Sequence, residues 1–491
     1  MKSCLPAWQL LRIKYQQKIL QGRTRAIRES HLIGIPGNID ATKIALGRSL
    51  VLSNGRLRVL ASAFACNPCK GSEHGVGWGW VRAIARDHDV HALVADFERE
   101  DIQKWLAGHP EFHERAVFHF VPHRFYHYTN KSRFWRKVEN SGLKPIMNLS
   151  YRLWLRDSYK VARELNQEYA FDVAHLITYV GFRFPGHLWK LDIPFVWGPV
   201  GGLENTSWQL LPLLGIRGAL YYAMRNLINT YHKKCLVSCK RAFDKAGVGI
   251  IAATEGIRKE IREHYGIDST VVCEVGPPEC IATNHSTRED GEPIVLSWSG
   301  EHLPGKALPL LLRSLGKLHA DIDWRLEILG DGPCMKQWKR LSLNLGISER
   351  CCWYGKVIRE DAIKIIRDSH VFVITSLKDL TSSVLLEALS QGLPIVCLDH
   401  CGFADIVDDT CGIKIPIDSV SFIPDRLAKA IENLWRDELL RQKMAKSALE
   451  KIGRFTWDSK MDTVNGLYAG VTCLCPSPCV GRAGEISPAI P

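Results

Sequence analysis

The 491-residue chain contains no uninterrupted apolar run approaching the roughly 18 residues of a membrane-spanning helix. Residues 1–18 interleave charged with apolar side chains and lack the continuous apolar segment of a secretory signal. We therefore expect a cytoplasmic protein. With 46% hydrophobic and 24% charged residues, the composition excludes a mostly disordered, fibrous or polytopic membrane protein, and the length predicts two or three domains.

Several short motifs are also missing. No zinc-finger, RRM or helix-turn-helix pattern is present, which argues against nucleic acid as a partner despite the net charge of +12. Cys66 and Cys69 form one C-x-x-C pair, but no second pair completes a four-thiolate zinc site, so we expect no metal and reduced, structural thiols. No G-x-G-x-x-G motif follows a strand, which argues against a Rossmann oxidoreductase.

Acidic residues are absent from residues 1–28, which carry seven lysines and arginines. Apolar residues recur there at helical spacing, at Leu5, Trp8, Leu11, Tyr15 and Ile19. This basic N-terminal extension, residues 1–55, has three interpretations. It is a helix in peripheral contact with the anionic inner face of the cell membrane, a solvated arm, or upstream sequence from a misassigned start.

Short apolar strands alternate with helical stretches on both sides of a polar linker at residues 277–291. The predicted strands are Leu57–Ala65, Val90–Ala95, Ala116–Val121, Phe171–Ile177, Pro194–Trp197 and Val248–Ala253, then Ile294–Trp298, Trp324–Leu329, Val371–Thr375 and Ile395–Leu398. This alternation predicts two α/β domains with parallel sheets, and ligands in such sheets bind beyond the carboxyl ends of the strands. We assign residues 56–280 to the first domain, 281–455 to the second, 456–470 to a helix returning to the first, and 471–491 to a disordered tail.

The most informative stretch is residues 374–396, ITSLKDLTSSVLLEALSQGLPIV. A strand ends there, and a helix begins near Ser383 with a hydroxyl cap. Free N–H groups at a helix N-terminus suit a diphosphate. Asp379 and Glu387 are placed to accept hydrogen bonds from sugar and ribose hydroxyls, and Lys306 to offset phosphate charge. Taken alone, the pattern also fits an ordinary βαβ unit with solvent-facing acids.

These motifs occur in an order that resembles the retaining glycosyltransferases of family 4 with the GT-B fold. The resemblance rests on D-x7-E from Asp379 to Glu387, the run LLEAL-x-x-G-x-P, GDGP at residues 330–333, and Ser-Gly ahead of Lys306. The stretches ACNPCKGSEHGVGW, DVAHLITYVGFRFPG and PFVWGPVGGLE resemble the acceptor half of bacterial members that build exopolysaccharides. The resemblance covers about residues 56–470 and implies an N-terminal acceptor domain and a C-terminal donor domain, both Rossmann-like, facing a cleft.

The resemblance also implies residue roles. Glu387 would bind the ribose of the nucleotide, and Asp379 the donor sugar, at a position where the family usually has Glu. The donor-binding residues it implies are Lys306, Asp379, Leu380, Thr381, Ser382, Ser383, Glu387, Gly71, Ser72 and Gly300. Catalysis would be metal-independent, with a nucleotide-sugar as co-substrate and no cofactor, and the acceptor would be a glycan or lipid-linked. The loop Gly71–Gly75 would approach the sugar and phosphates from the other domain. Gly201 and Gly202 would shape the cleft next to Glu204.

Two departures from the family pattern bear on activity. The residue after Gly300 is Glu301 where the family commonly has arginine, which replaces an attractive charge at the phosphate site unless Arg359 or another cation compensates. The acceptor strand keeps only His175 of an H-x-H pair. We therefore name His175 and Asp379 as candidate catalytic residues, with a core or supporting position as the alternative for His175.

Two aromatic stretches, residues 125–154 and 208–231, have two interpretations: docking of a lipid-linked acceptor at a membrane surface, or helices packed on the acceptor domain. Two rival functions also remain open at this point. One is a GT-B sugar-nucleotide epimerase, which the aromatic insertions argue against. The other is a degenerate, non-catalytic partner in a glycan assembly complex, which Glu301 supports.

Overall fold

The computed structural model describes residues 55–123 and 144–474. They contain two sheets, of seven and six strands, in which every pair of neighbouring strands is parallel. The two-domain α/β architecture expected from the sequence is thereby confirmed. The basic N-terminal extension and the aromatic residues 125–143 lie outside the described part of the chain. Among the described residues, no helix is both long and apolar enough to cross a bilayer.

The first sheet has the strand order β3-β2-β1-β4-β5-β6-β7. Its strands are Arg58–Ala63 (β1), Asp89–Ala95 (β2), Ala116–Val121 (β3), Val173–Thr178 (β4), Phe195–Val200 (β5), Ile250–Ala252 (β6) and Thr270–Val271 (β7). The central strands are almost wholly buried, as strands covered by helices on both faces must be. The helices are Ser72–Asp87 (α1), Arg99–Ala107 (α2), Lys144–Tyr169 (α3), Gly215–Cys235 (α4), Val237–Ala246 (α5) and Glu255–Tyr265 (α6).

The second sheet has the order β10-β9-β8-β11-β12-β13. Its strands are Ile294–Ser299 (β8), Trp324–Leu329 (β9), Cys351–Gly355 (β10), Val371–Ile374 (β11), Ile395–Leu398 (β12) and Gly412–Ile415 (β13). The helices are Leu308–Leu315 (α7), Met335–Asn344 (α8), Arg359–Arg367 (α9), Ser383–Ser390 (α10), Cys401–Ile406 (α11), Ile423–Arg436 (α12), Glu438–Ile452 (α13) and Trp457–Leu474 (α14). In both sheets the strand order reverses beside the first strand, between β1 and β4 and between β8 and β11. The loops that follow these neighbouring strands diverge there and leave a crevice at the carboxyl edge of the sheet.

Three strands were not predicted, namely β7, β10 and β13, and each lies at an edge of its sheet. Edge strands are partly exposed, so they lack the continuous apolar run by which the buried strands are recognised. The Gly71–Gly75 segment was expected to be a loop. Instead α1 already begins at Ser72, so most of that segment forms the first helical turn.

The C-terminal helix α14 packs against α1 and β5 of the first domain. Its Val464 and Tyr468 are fully buried in a core cluster with β1, β2 and β4 residues. The helix continues to Leu474, four residues past its predicted end at 470, and residues 475–491 lie outside the described chain. No helix or strand interrupts the segment between β7 and β8, which contains the polar linker.

Candidate functional site at the cleft between the two domains

Lys306 and Asp379 are brought together at the carboxyl edge of the second sheet. The Lys306 ammonium group forms an ion pair with Asp379 Oδ2. Lys306 ends a short turn after β8, and Thr375 at the end of β11 donates a hydrogen bond to its carbonyl at 2.8 Å. Two neighbouring parallel strands therefore place the cation and the carboxylate side by side. Both side chains remain partly exposed.

The loop before α10 differs from the simple capped N-terminus expected from the sequence. The Leu380 N–H donates to Asp379 Oδ1 at 3.1 Å, and the Thr381 N–H donates to Glu274 Oε1 at 3.0 Å. Ser382 has φ 72° and makes no side-chain capping bond, so the predicted hydroxyl cap is wrong. An N-cap hydroxyl needs an extended backbone to reach back to the first turn, and a positive φ points it elsewhere.

Glu387, one turn into α10, is almost buried and binds Arg359 at the start of α9. Arg359 donates to Glu387 Oε1 from Nε at 3.0 Å and lies 2.9 Å from it through a terminal nitrogen. Both contacts fall on the same oxygen. Arg359 is therefore engaged by Glu387, and nothing in the described chain pairs it with Glu301, which is exposed.

Gly300 lies in a close backbone contact with the GDGP turn. Gly330 has φ 111°, and a Cβ at this position would lie only 2.0 Å from the Gly300 carbonyl oxygen. A side chain at Gly330 would push β9 away from the end of β8, so this position requires glycine. The Lys306 side chain passes beside Gly300, 3.6 Å from where a Cβ would stand.

The first domain approaches the same loop through its glycines and its acidic residues. A Cβ on Gly201 would lie 2.9 Å from the Leu380 side chain, so this glycine allows the two domains to touch. Glu204 and Asp379 line one cavity of about 120 Å³ between the domains. Lys378 donates to the Glu204 carbonyl at 3.0 Å, and burial lowers the pKa of Lys378 to about 8.

Glu98 binds residues on both sides of Gly71 and Ser72 and so fixes this segment. This carboxylate is fully buried and accepts hydrogen bonds from Lys70 at 2.8 Å and from Asn67, and it lies 2.5 Å from His74 Nδ1. Ser72 has φ 56° and remains exposed together with Gly71. The contacts with Glu98 therefore fix the position of the segment, while Gly71 and Ser72 remain exposed to solvent.

Glu73 lies in the same segment and its carboxyl is turned inwards. Burial and, to a smaller extent, the nearby Glu274 carboxylate raise the pKa of Glu73 to about 7. Its Oε2 atom is inaccessible and has no hydrogen-bond partner among the described residues. An uncharged, protonated Glu73 is the form that such surroundings favour.

His175 lies on β4 and is fully buried. One ring nitrogen, Nδ1, is 2.7 Å from the Tyr468 hydroxyl, and Nε2 is 2.9 Å from the Gly198 carbonyl oxygen. Burial lowers its pKa to about 4, which keeps the ring neutral. Both nitrogens are occupied within the first domain, which is the arrangement of a core histidine, the alternative left open by the sequence.

Three buried charged residues at the cleft were missed by sequence reasoning, namely Glu274, Lys378 and Lys460. Lys460 on α14 donates to the Val275 carbonyl, and burial lowers its pKa. Nothing in their local sequence distinguishes them from surface residues. They were identifiable only through their neighbours, which come from distant parts of the chain.

Comparison with known proteins agrees with this geometry. Residues 282–451 match the family model described as glycosyl transferases group 1. The D-inositol 3-phosphate glycosyltransferase of Corynebacterium diphtheriae is 24% identical over 310 residues, which are 58% of this chain and 71% of the relative. The chain spans about half the length of other curated relatives that it matches.

Two solved structures share the fold over most of the chain. The apo form of the lipopolysaccharide outer core galactosyltransferase WaaB aligns with a TM-score of 0.56 and 16% identity, over 83% of this chain and 99% of that protein. The Anabaena protein HepE in complex with UDP aligns with a TM-score of 0.52 and 13% identity, over 85% of this chain and all of that protein.

Two Rossmann-like domains that face a cleft are the architecture of the GT-B fold, which the solved structures above share with this chain. Residues 282–451 carry the domain of the group 1 glycosyl transferases, known as family 4, whose members are retaining hexosyltransferases. Members of this family transfer a sugar from a nucleotide-sugar. The resemblance stated from the motifs is confirmed at this level.

Proposed function

We propose that this enzyme transfers a hexose from a UDP- or GDP-sugar to a glycan or lipid-linked acceptor in polysaccharide biosynthesis. The observation that carries the proposal is the juxtaposition of Lys306 with Asp379 at the edge of the loop that leads into α10. The solved complex of HepE with UDP supports a nucleotide-sugar as the donor. The name of WaaB, a lipopolysaccharide outer core galactosyltransferase, supports a glycan or lipid-linked acceptor. The acceptor would bind to residues 56–280 and the donor to residues 281–455.

Donor binding would exchange the partners of Lys306. In the structure its charge is neutralised by Asp379. A diphosphate carries more negative charge than one carboxylate, so it would displace Asp379 from the ammonium group. Asp379 would then be free to accept hydrogen bonds from the donor sugar, the role proposed for it. The same two side chains would thus serve as an internal pair and as two separate ligand contacts.

Breaking the bond between the sugar and the diphosphate leaves positive charge on the sugar ring and negative charge on the leaving group. Lys306 and the backbone N–H groups around Ser382 and Ser383 would stabilise the leaving diphosphate. Gly71 and Ser72 would approach it from the first domain, where their backbone is exposed. The acceptor hydroxyl would attack from the face that the diphosphate leaves, which retains the configuration, and no metal would be needed.

Isothermal titration of the full chain with UDP and GDP, followed by transfer assays with labelled sugar nucleotides and lipid-linked or glycan acceptors, tests the proposal. We expect one nucleotide to bind and turnover to survive a chelator. Interconversion of the donor without acceptor would indicate an epimerase instead. Folded protein that binds neither nucleotide would indicate a non-catalytic partner, and loss of turnover with a chelator would overturn the metal-free mechanism.

A further inference from the structure

Helix α4 presents an apolar face to solvent. Seven of its large apolar side chains are between 45% and 90% exposed, namely Ile216, Leu220, Tyr221, Met224, Leu227, Ile228 and Tyr231. Five of these positions, at spacings of three or four residues, stack along one side of the helix. Trp208, just ahead of the helix, is 56% exposed. A continuous exposed apolar face of this length is typical of a surface that binds a partner or a membrane.

The inner face of α4 is held by buried polar side chains and by the packing of Ala219, Tyr222 and Ala223 on the second domain, so the exposed apolar side chains lie on the outer side. Asn226 is buried and exchanges two hydrogen bonds with the Thr206 backbone, at 2.8 and 3.0 Å. Asn229 is buried and donates to the Leu203 carbonyl at 2.7 Å, and the buried Lys233 pairs with Glu260. These bonds hold the helix against the first domain and prevent a rotation that would bury the apolar face.

The chain segment that forms α4 and its flanks carries charged side chains of one sign. Between Glu204 and Asp244 the sequence contains no Asp or Glu, but it contains six Lys and Arg residues. Arg217 lies at one end of α4 and Lys234 at the other, and both are exposed. A second copy of the chain would bring like charges together across the interface, whereas an anionic surface would be attracted.

The helix also borders the donor side of the cleft. Tyr222, on its inner side, has its hydroxyl 3.2 Å from where a Cβ on Gly305 would stand, next to Lys306. The preceding turn, Trp208–Leu214, packs its buried leucines into the core of the second domain. A surface bound to the outer face of α4 would therefore lie within one helix diameter of the candidate donor site.

We infer that the outer face of α4 lies in the headgroup region of an anionic lipid bilayer and holds the cleft beside it. The apolar side chains would enter the boundary of the acyl chains, and Arg217 and Lys234 would contact phosphates. This inference deepens the proposed function, because a lipid-linked acceptor would be reached at that surface. For residues 208–231 it favours docking over packing alone, whereas Trp154 in the other aromatic stretch is fully buried core.

Co-sedimentation with vesicles tests the inference on the full chain. Vesicles of phosphatidylcholine alone are compared with vesicles that contain about 30% phosphatidylglycerol. The test variant is Leu220→Glu with Leu227→Glu, and the matched control is Leu343→Glu with Leu439→Glu, two leucines that are 64% and 80% exposed on other helices. UDP titration of each variant reports whether the fold and the candidate donor site are intact.

We expect binding to the anionic vesicles that salt weakens, a loss of about tenfold or more in the α4 variant, and no loss in the control. Equal binding of the α4 variant and the wild type would overturn the inference and point to the basic N-terminal extension. A dimer in light scattering that the α4 variant dissociates would identify a second copy as the occupant, and would also overturn it. Vesicle binding with no sugar transfer to any acceptor would instead contradict the proposed function alone.

Discussion

The Glu274 carboxylate holds Thr381 across the boundary between the two domains, through the Thr381 N–H at 3.0 Å and its hydroxyl at 2.8 Å. Glu274 is buried, and Trp80 of α1 donates to its carbonyl at 3.0 Å, which anchors it in the first domain. Burial raises the pKa of Glu274, whereas the bonds from Thr381 favour the ionised form. The loop proposed to bind the diphosphate is therefore shaped by a side chain of the other domain.

Thr381→Val is expected to weaken nucleotide binding. Valine keeps the size of the side chain but removes the hydroxyl bond to Glu274, which is worth about 0.5–1.5 kcal/mol, or several-fold in affinity if the loop is shaped by it. Thr381→Ser, which keeps the hydroxyl, is the matched control. Titration with UDP or GDP makes the comparison. Equal affinities of the two variants would show that the bond does not position the loop.

Asp379→Asn and Lys306→Ala are expected to separate the two halves of donor binding. Removing the carboxylate frees Lys306, so affinity for the nucleoside diphosphate should be unchanged or higher while sugar transfer falls. Removing the ammonium group should lower affinity for the diphosphate about tenfold or more, because a charge-assisted bond is lost. Lys317→Ala, an exposed lysine of the same domain that pairs with Asp425, is the control. An Asp379→Asn variant with full transfer activity would contradict the role proposed for Asp379.

Glu387→Ala is expected to lose the discrimination between UDP and 2′,3′-dideoxy-UDP. Wild type should bind the dideoxy analogue more weakly by about 1.5–3 kcal/mol, the worth of a hydrogen bond to a charged group, and the variant should bind both equally. Arg359→Ala removes the partner of Glu387 but leaves the carboxylate, so it should keep the discrimination. If Glu387→Ala still distinguishes the two nucleotides, the ribose is bound elsewhere.

Glu73→Gln is expected to change how stability depends on pH. The pKa of Glu73 is raised to about 7 in the fold from an ordinary value of 4.5, so the folded state holds a proton that the unfolded state releases. The contribution of this bound proton to the free energy of unfolding is complete below pH 4.5 and is lost as the pH rises towards 7. Relative to wild type, the glutamine variant should therefore gain stability between about pH 4.5 and 7 and stay level above. Urea unfolding of both proteins across this range measures it, and a constant difference would contradict the shift.

His175→Phe is expected to lower stability rather than to change chemistry. The substitution leaves the Tyr468 hydroxyl and the Gly198 carbonyl without their buried partner, at a cost of about 1–3 kcal/mol each. Tyr468→Phe, which removes only one of the two bonds, should cost less. Unfolding curves and kcat of the folded fraction separate the outcomes. A His175→Phe variant that is as stable as the wild type but has lost turnover would show that His175 has a catalytic role.

The fold was predictable because parallel strands that are buried on both faces are recognisable in the sequence as short apolar runs. β9 and β12 have the predicted limits, since each is a short buried strand rich in apolar residues. The edge strand β3 also has the predicted limits, because its sequence AVFHFV remains mostly apolar despite partial exposure. The edge strands β7, β10 and β13 were missed, because partial exposure relaxes the demand for apolar residues. The domain limits and the residue roles that follow from the family resemblance stay predictions.

The sequence by itself determined the two α/β domains, the family resemblance, and the positions of Lys306 and Asp379 after strands and of Glu387 in the following helix. These follow from the order of elements and motifs along the chain, which is recognised locally. Only the tertiary structure decided which charges meet: Lys306 with Asp379, Arg359 with Glu387 rather than Glu301, and Glu274 with Thr381. Only it showed that α4 turns its apolar face outwards. Periodicity shows that a helix has two faces, but which face is buried depends on partners far away in sequence.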